Sequence, residues 1–426
     1  MMKKQFSILL IAIAFIFVSC NDDDDDIQKV SATFKVTVKN VFTPKMYQAS
    51  GALGLIKPGE SQEFSFNAGK GSYLSFANMF VKSNDLFYGF ADTGLALYEA
   101  SGDAVTGDVT MHVQLWDAGT EVNQEPGNGS NQPLNQPEPN TGDMESGTVK
   151  VVNDGFTYPT TEDVIEISIT HDGGTMFTVK IENNSATASI ATPFAPGVWV
   201  VHSDQVKLFV SGSAASADLE KLVEDGDNVD LDTMLTDNSG YFSPFAPGAF
   251  AIHSSGIKPI FTNNSQDRGD GLEMLAEDGD PGDLAASLSS MKDISNSGAF
   301  NTPVGASGPG ALFPDNSYTF TFTAKEGDYL SLATMLVQSN DLFYAFADGG
   351  IALFSNGIAK TGNVTSQITL WDAGTEVNEF PGAGKNQPVR GGGNSGPAEG
   401  GTVKKVDDGF TYPSVANAIE VSIEMQ

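Results

Sequence analysis

FKVTV, residues 34–38, alternates apolar and polar side chains at a period of two, with Phe34, Val36 and Val38 on one face and Lys35 and Thr37 on the other. That is the pattern of a strand with one buried face. The pattern returns as FTVKI at residues 177–181 and as IEVSI at residues 419–423, the latter matching IEISI at residues 165–169. Further strand candidates lie at residues 64–66, 73–80, 109–115 and 164–169, divided by clusters of Gly, Pro, Asn and Asp. Short strands separated by turn formers predict an all-β chain of antiparallel β-sandwich domains.

The chain repeats itself. SNDLFY occurs at residues 83–88 and 339–344, and LWDAGTEVN at residues 115–123 and 370–378, so a stretch of domain size is duplicated with a register offset of about 256 residues. Strand FTVKI then reads as the start of a second half, with the hinge at residues 171–175, where Gly173-Gly174 falls. The expected domains are 33–171, shorter, and 176–426, longer. Residues 190–298 are expected to be an element of the second domain without a counterpart in the first. This element has its own repeat, in which FAPG at residues 194–197 and 245–248 is followed by His202 or His253, then by LEKLVEDG (219–226) or LEMLAEDG (272–279). Each of the last two reads as a short helix ending in an acidic turn, and the EDGDNVDLD stretch at residues 224–232 as a helix end with solvated acids. Segments 128–147 and 391–400, rich in Gly, Asn, Pro and Ser, read as surface loops.

With 426 residues, 40% of them hydrophobic, the chain can fill two cores of ordinary size. Lys and Arg number 22 against 54 Asp and Glu, a formal net charge of −32. Such a surface repels phosphate backbones, so nucleic acid is not an expected partner, and cations are. Cys20 is the one cysteine, which excludes a disulfide framework. It closes a segment with Lys3 and Lys4 at its start and an apolar run at residues 6–18. That arrangement looks like a bacterial lipoprotein signal, residues 1–20, in which Cys20 becomes the lipidated first residue. Residues 21–32, with five consecutive aspartates from Asp22 to Asp26, then read as an acidic tether. The expected location is the outer membrane or cell surface, with the membrane met only through the lipid on Cys20.

Both duplicated phrases carry acids at matched spacing: Asp85, Asp117 and Glu121 in the first copy, Asp341, Asp372 and Glu376 in the second. The Asp-to-Asp step is 32 and 31 residues, and the Asp-to-Glu step is 4 in both. Each Asp falls where an apolar strand pattern gives way to a loop, so loops at one end of a sandwich could bring three carboxylates to a point. Like charges that close need a cation, and calcium, which takes six to eight oxygen ligands, suits flexible acidic loops. The plainer reading is that Asp117 and Asp372 cap turns while Glu121 and Glu376 stand exposed.

SNDLF followed some thirty residues later by WDAGTE resembles the signature of the spondin domain, Ser-Pro-Asp-Trp followed by Asp-Ala-Gly-Thr-Asp. The FSP…H and GLE-x-LAEDG elements resemble the family's N-terminal half, with the complete match over residues 240–426 and a partial one over 34–170. The resemblance implies two copies of a calcium-bound sandwich similar to calcium-dependent membrane-binding domains, as found in matrix and adhesion proteins. It implies as metal ligands Asp85, Asp117 and Glu121, then Asp341, Asp372 and Glu376. Asn84 and Asn340 stand where the family has proline, and Glu stands for the last Asp.

The function expected is that of a surface-anchored, calcium-binding adhesion or matrix-binding lipoprotein whose partner is an extracellular protein or glycan. A glycan-capture protein is the alternative, with Trp116, Trp199 or Trp371 as platforms, although core packing is the plainer role for Trp116 and Trp371. A hydrolase is expected less. His112, His171, His202 and His253 are the only histidines, of which only His202 and His253 recur, and Asp117 with Glu121 have no evident supporting groups.

Overall fold

The computed structural model describes residues 30–391 and 393–426. Cys20 and most of the expected acidic tether lie outside the described residues. Strand outweighs helix, 34% to 14%, and the named strands all pair antiparallel, so the chain is all-β as its alternating segments predict. The segment 109–115 departs from its expected strand: a short 3-10 turn, Thr110–His112, precedes the strand Gln114–Asp117.

Two hydrophobic cores each lie between a four-stranded and a seven-stranded sheet. In one four-stranded sheet, Met176–Asn183 runs between Ser61–Asn67 and Ile165–His171. Its Phe177, Val179 and Ile181 pack with Phe76, Tyr88 and Trp199 of the facing sheet. In the other, Ser31–Asn40 runs between Ser317–Lys325 and Ile419–Met425. Phe34, Val36 and Val38 are fully buried there against Phe250, Leu332 and Tyr344. Burying a Phe or Val side chain contributes roughly 1.5–3 kcal/mol, so three of them fix which face of a strand turns inward.

This pairing corrects the expected division at residues 171–176. Residues 171–175 are the turn of a hairpin, in which Asp172 N donates to Met176 O at 3.2 Å and Ile165–His171 lies beside Met176–Asn183 along its length. Strand 177–181 therefore completes the first core, while strand 34–38, expected there, completes the second. Both have the same alternation, and period two specifies a face without specifying a partner.

The element at residues 190–298 is also divided. Gly197–His202 pairs with Ala49–Leu53 and Tyr73–Met79, and helices Ala217–Asp225 and Val229–Asp237 cover the outer face of that sheet. Phe245–Ser254, with helices Leu272–Asp278 and Gly282–Ser290, does the same for the second sheet. The first core is thus built from residues 45–240, inserted whole between the first strand and the remainder of the second core. Its two ends meet: Tyr47 bridges Ser239, Met46 N and Tyr47 N both donate to Asn238 O at 3.0 Å, and Gly240 N donates to Tyr47 O at 3.1 Å. Adjacent termini are what an inserted domain requires.

Candidate metal centre

Each acidic site is made where two loops leave the seven-stranded sheet. Ser339 Oγ donates to Leu336 O and accepts from Leu342 N at 3.2 Å, closing a tight turn that puts Asp341 at the start of the next strand. Ser83 builds the same turn before Asp85, accepting from Leu86 N at 3.1 Å. Strand Thr369–Asp372 ends at Asp372, opposite Leu342 in register, which sets the two aspartates side by side. The chain then turns at Gly374, with φ +67°, where a Cβ would stand 2.7 Å from Thr402 N. Asp372 Oδ1 holds that turn by accepting from Gly374 N at 2.7 Å, as Asp117 does from Gly119 N at 2.8 Å. The turn-capping role is therefore present, alongside the second oxygen of each carboxylate.

Asp341 is fully buried. Its Oδ2 accepts three hydrogen bonds, from Thr375 N at 2.8 Å, Thr375 Oγ1 at 3.1 Å and Glu376 N at 3.1 Å. Its Oδ1 has no partner among the described residues. Asp85 repeats the arrangement, with Thr120 N at 2.7 Å, Thr120 Oγ1 at 3.2 Å, Glu121 N at 3.1 Å and an orphaned Oδ1. A buried carboxylate oxygen without a donor is costly unless something outside the chain satisfies it. One oxygen each of Asp341, Asp372 and Glu399 lie within 4.8 Å of one another, close enough to share a cation. The donor set is all oxygen, which fits a hard divalent ion.

Electrostatics agree with that geometry. Burial, then the neighbouring Asp372 charge, pushes the Asp341 carboxyl up to about 7, and burial with Asp117 pushes Asp85 up to about 6. Burial also raises Asp117 and Asp372. Among the described residues the cations paired with these acids stand at the rim, Lys150 Nζ 3.4 Å from Asp117 and Lys404 Nζ 3.8 Å from Asp372. Without a further positive charge the pair is strained toward holding a proton.

The carboxylates of Glu121 and Glu376, the third ligands expected, accept hydrogen bonds from neighbouring loops. Both are buried, which removes the reading that they stand exposed. Glu376 accepts from Asn340 Nδ2 at 3.2 Å and from the Gly396 backbone, and Glu121 from Asn84 Nδ2 at 3.2 Å and Gly142 N at 2.9 Å. They clamp the loop that carries Glu399 or Glu145, through the bridges Glu376–Ala398 and Glu121–Met144. Asn340 and Asn84, where the spondin pattern has proline, are what occupy them.

Sequence reasoning missed the acids of that clamped loop, although a third repeated phrase marks them: ESGTVK at residues 145–150 and EGGTVK at residues 399–404. The solvated reading of the 224–232 stretch also fails at Glu224, whose counterpart in the second copy is Glu277. Both are buried at the ends of their helices, and burial pushes each up to about 7. The following glycines, Gly226 and Gly279, end those helices at φ +70° and +71°. The glutamates lie beside the sites, near the Thr120 and Thr375 hydroxyls that serve Asp85 and Asp341.

The recurring histidines are structural in position. His202 and His253 are fully buried, with Nδ1 on the carbonyl of Ser203 or Ser254 and Nε2 accepting from Ser75 Oγ at 2.8 Å or Ser331 Oγ at 2.9 Å. All three tryptophans are buried too, Trp199 stacked on Phe64 and Trp371 packed on Phe261. Compared with known protein families and with curated proteins, the chain matches none.

Proposed function

We propose that the chain is a surface-anchored lipoprotein made of two calcium-binding, spondin-type sandwiches, serving as an extracellular adhesion or matrix-binding module and not as an enzyme. The observation that carries the metal is the orphaned Oδ1 of Asp341 beside Asp372 and Glu399, repeated at Asp85 beside Asp117. Asp341, Asp372 and Glu399 would hold the ion in one site, Asp85 and Asp117 in the other, with Glu145 at the matching place. Bound calcium would supply the missing positive charge and tie together the loops from which each site is built. The lipid on Cys20, the outer-membrane or cell-surface location and the extracellular partner rest on the signal-like leader and the acidic tether.

Two observations weigh against the alternatives. Trp116, Trp199 and Trp371 are buried and cannot be the stacking platforms expected of a glycan-capture protein, and a serine hydroxyl closed inside a core beside its histidine has no route to a substrate. Thermal unfolding across a calcium titration tests the proposal: ligand at a hundredfold excess over Kd adds about 2.7 kcal/mol to a fold that binds it. An unchanged melting temperature in calcium, together with no effect of calcium on variants at Asp85 and Asp341, would remove the metal from the reading.

A further inference from the structure

Two cations with no carboxylate between them line a cleft at the junction of the two cores. The cleft has a volume of about 410 Å³, and Arg390 and Lys45 line it without a single Asp or Glu. In a chain with 54 acids and 22 bases that is an unusual neighbourhood. The cleft beside helix Leu272–Asp278, for comparison, is lined by Asp267, Asp270, Glu273 and Asp283.

Arg390 belongs to the junction and not to the repeat: NQPVR at residues 386–390 stands where the first copy has NQPLN at residues 131–135. Its guanidinium donates from Nε at 3.0 Å and from Nη2 at 2.6 Å to Gly382 O, and from Nη1 at 2.7 Å to Lys70 O of the other core. Those are carbonyl oxygens, so the charge has no counter-ion among the described residues, and two of its five N–H groups remain for a ligand. Lys45 likewise gives Nζ to a carbonyl, that of Asp237, at 2.6 Å. Gln48 and Asn67 engage their amide oxygens, with Ser72 Oγ at 2.7 Å and Thr175 Oγ1 at 2.7 Å, which leaves their amide N–H groups for the cleft they line. Phe242 and Phe380 also line the cleft and give it aromatic surface.

We propose that this cleft binds a carboxylate-bearing sugar of the uronic acid type. A guanidinium edge matches a planar carboxylate, the amides match sugar hydroxyls, and the aromatic surface takes the C–H face of the ring. The volume lies within the range of small-ligand pockets. This site shares no residue with the acidic centres and does not depend on calcium.

The test is titration of the full chain, in EDTA, with D-glucuronate and with D-glucose, for the wild type and for Arg390→Gln and Lys45→Gln. Glucuronate binding is expected to exceed glucose binding by about tenfold or more, to fall by about tenfold in R390Q and by a few-fold in K45Q, and to weaken as salt is raised. Equal binding of the neutral sugar, affinity unchanged in both variants, or no binding of glucuronate by the folded wild type at millimolar concentration each overturns the proposal. Should R390Q fail to fold, K45Q and the glucose comparison still decide. Because the titrations are run without calcium, a failed metal site leaves their outcome untouched.

Discussion

Asp341→Asn, in a chain whose other site has been neutralised by Asp85→Asn, should make the calcium-free protein more stable and blind to calcium. Asp341 is buried and its carboxyl pushed up to about 7 from 3.8, so the folded state holds a proton that the unfolded state has released. For a raised acid the stabilising contribution is complete below the unfolded value and is lost as pH rises through about 7. At pH 8 the ionised group costs up to about 4 kcal/mol, at about 1.4 kcal/mol for each unit. Asparagine keeps an oxygen for the three donors that Asp341 Oδ2 now serves, at reduced strength because those bonds lose their charge. A net gain of about 2 kcal/mol remains, roughly 4–8 °C in melting temperature for a domain of this size. Calorimetry of D85N and D85N/D341N at pH 8, in EDTA and in millimolar calcium, reads both effects. A lower melting temperature for the double variant in EDTA, or a calcium shift as large as that of D85N, would refute the reasoning.

Glu376→Gln should weaken calcium binding by no more than a few-fold, since its carboxylate is engaged with Asn340 and Gly396, whereas Glu399→Gln should weaken it by about tenfold or more; calorimetric titration separates the two. Lowering the pH from 7 to 5 should weaken binding at the Asp341 site by roughly 50-fold from that one proton, and affinity that is flat over this range would contradict its raised carboxyl. Gly69→Ala places a Cβ 2.5 Å from Ala383 O and 2.9 Å from Arg390 Nε, so it should loosen the junction of the cores at a cost of about 1–3 kcal/mol, visible as an expanded solution scattering profile. Residues 45–240 expressed alone should fold, while deletion of residues 30–42 should leave the second core unable to complete its sheet; circular dichroism melts of both shortened chains check this.

Alternation at residues 34–38, 177–181 and 419–423 was enough to read strands with one buried face, and the duplicated phrases located the buried aspartates. What period two cannot carry is the identity of the neighbour. Strands 34–38 and 177–181 present equivalent faces, and only the turn at residues 171–175, too short to be anything but a hairpin, distinguishes them. At the sites, the Asp-to-Glu spacing drew attention to Glu121 and Glu376, yet a carboxylate four residues beyond a turn can face its neighbour's amide as readily as a metal. Glu145 and Glu399 arrive from a loop more than twenty residues later, and their approach is set by backbone bridges that spacing does not encode. Glu224 looked solvated because it lies beside other acids at a helix end, where half a turn of rotation separates water from core.

The meeting of residues 47 and 239 bears on the order of assembly. The first strand, ending at Asn40, must find Ser317–Lys325, about 280 residues further along the chain. About 190 of those residues lie within the inserted part, whose ends are bridged once it has folded. Closing the remaining span is then easier by about 1 kcal/mol of chain entropy than closing the whole. The inserted core is thereby a splint that forms early, brings two distant stretches of chain to one place and lets the outer sheet close across a gap less than half as long.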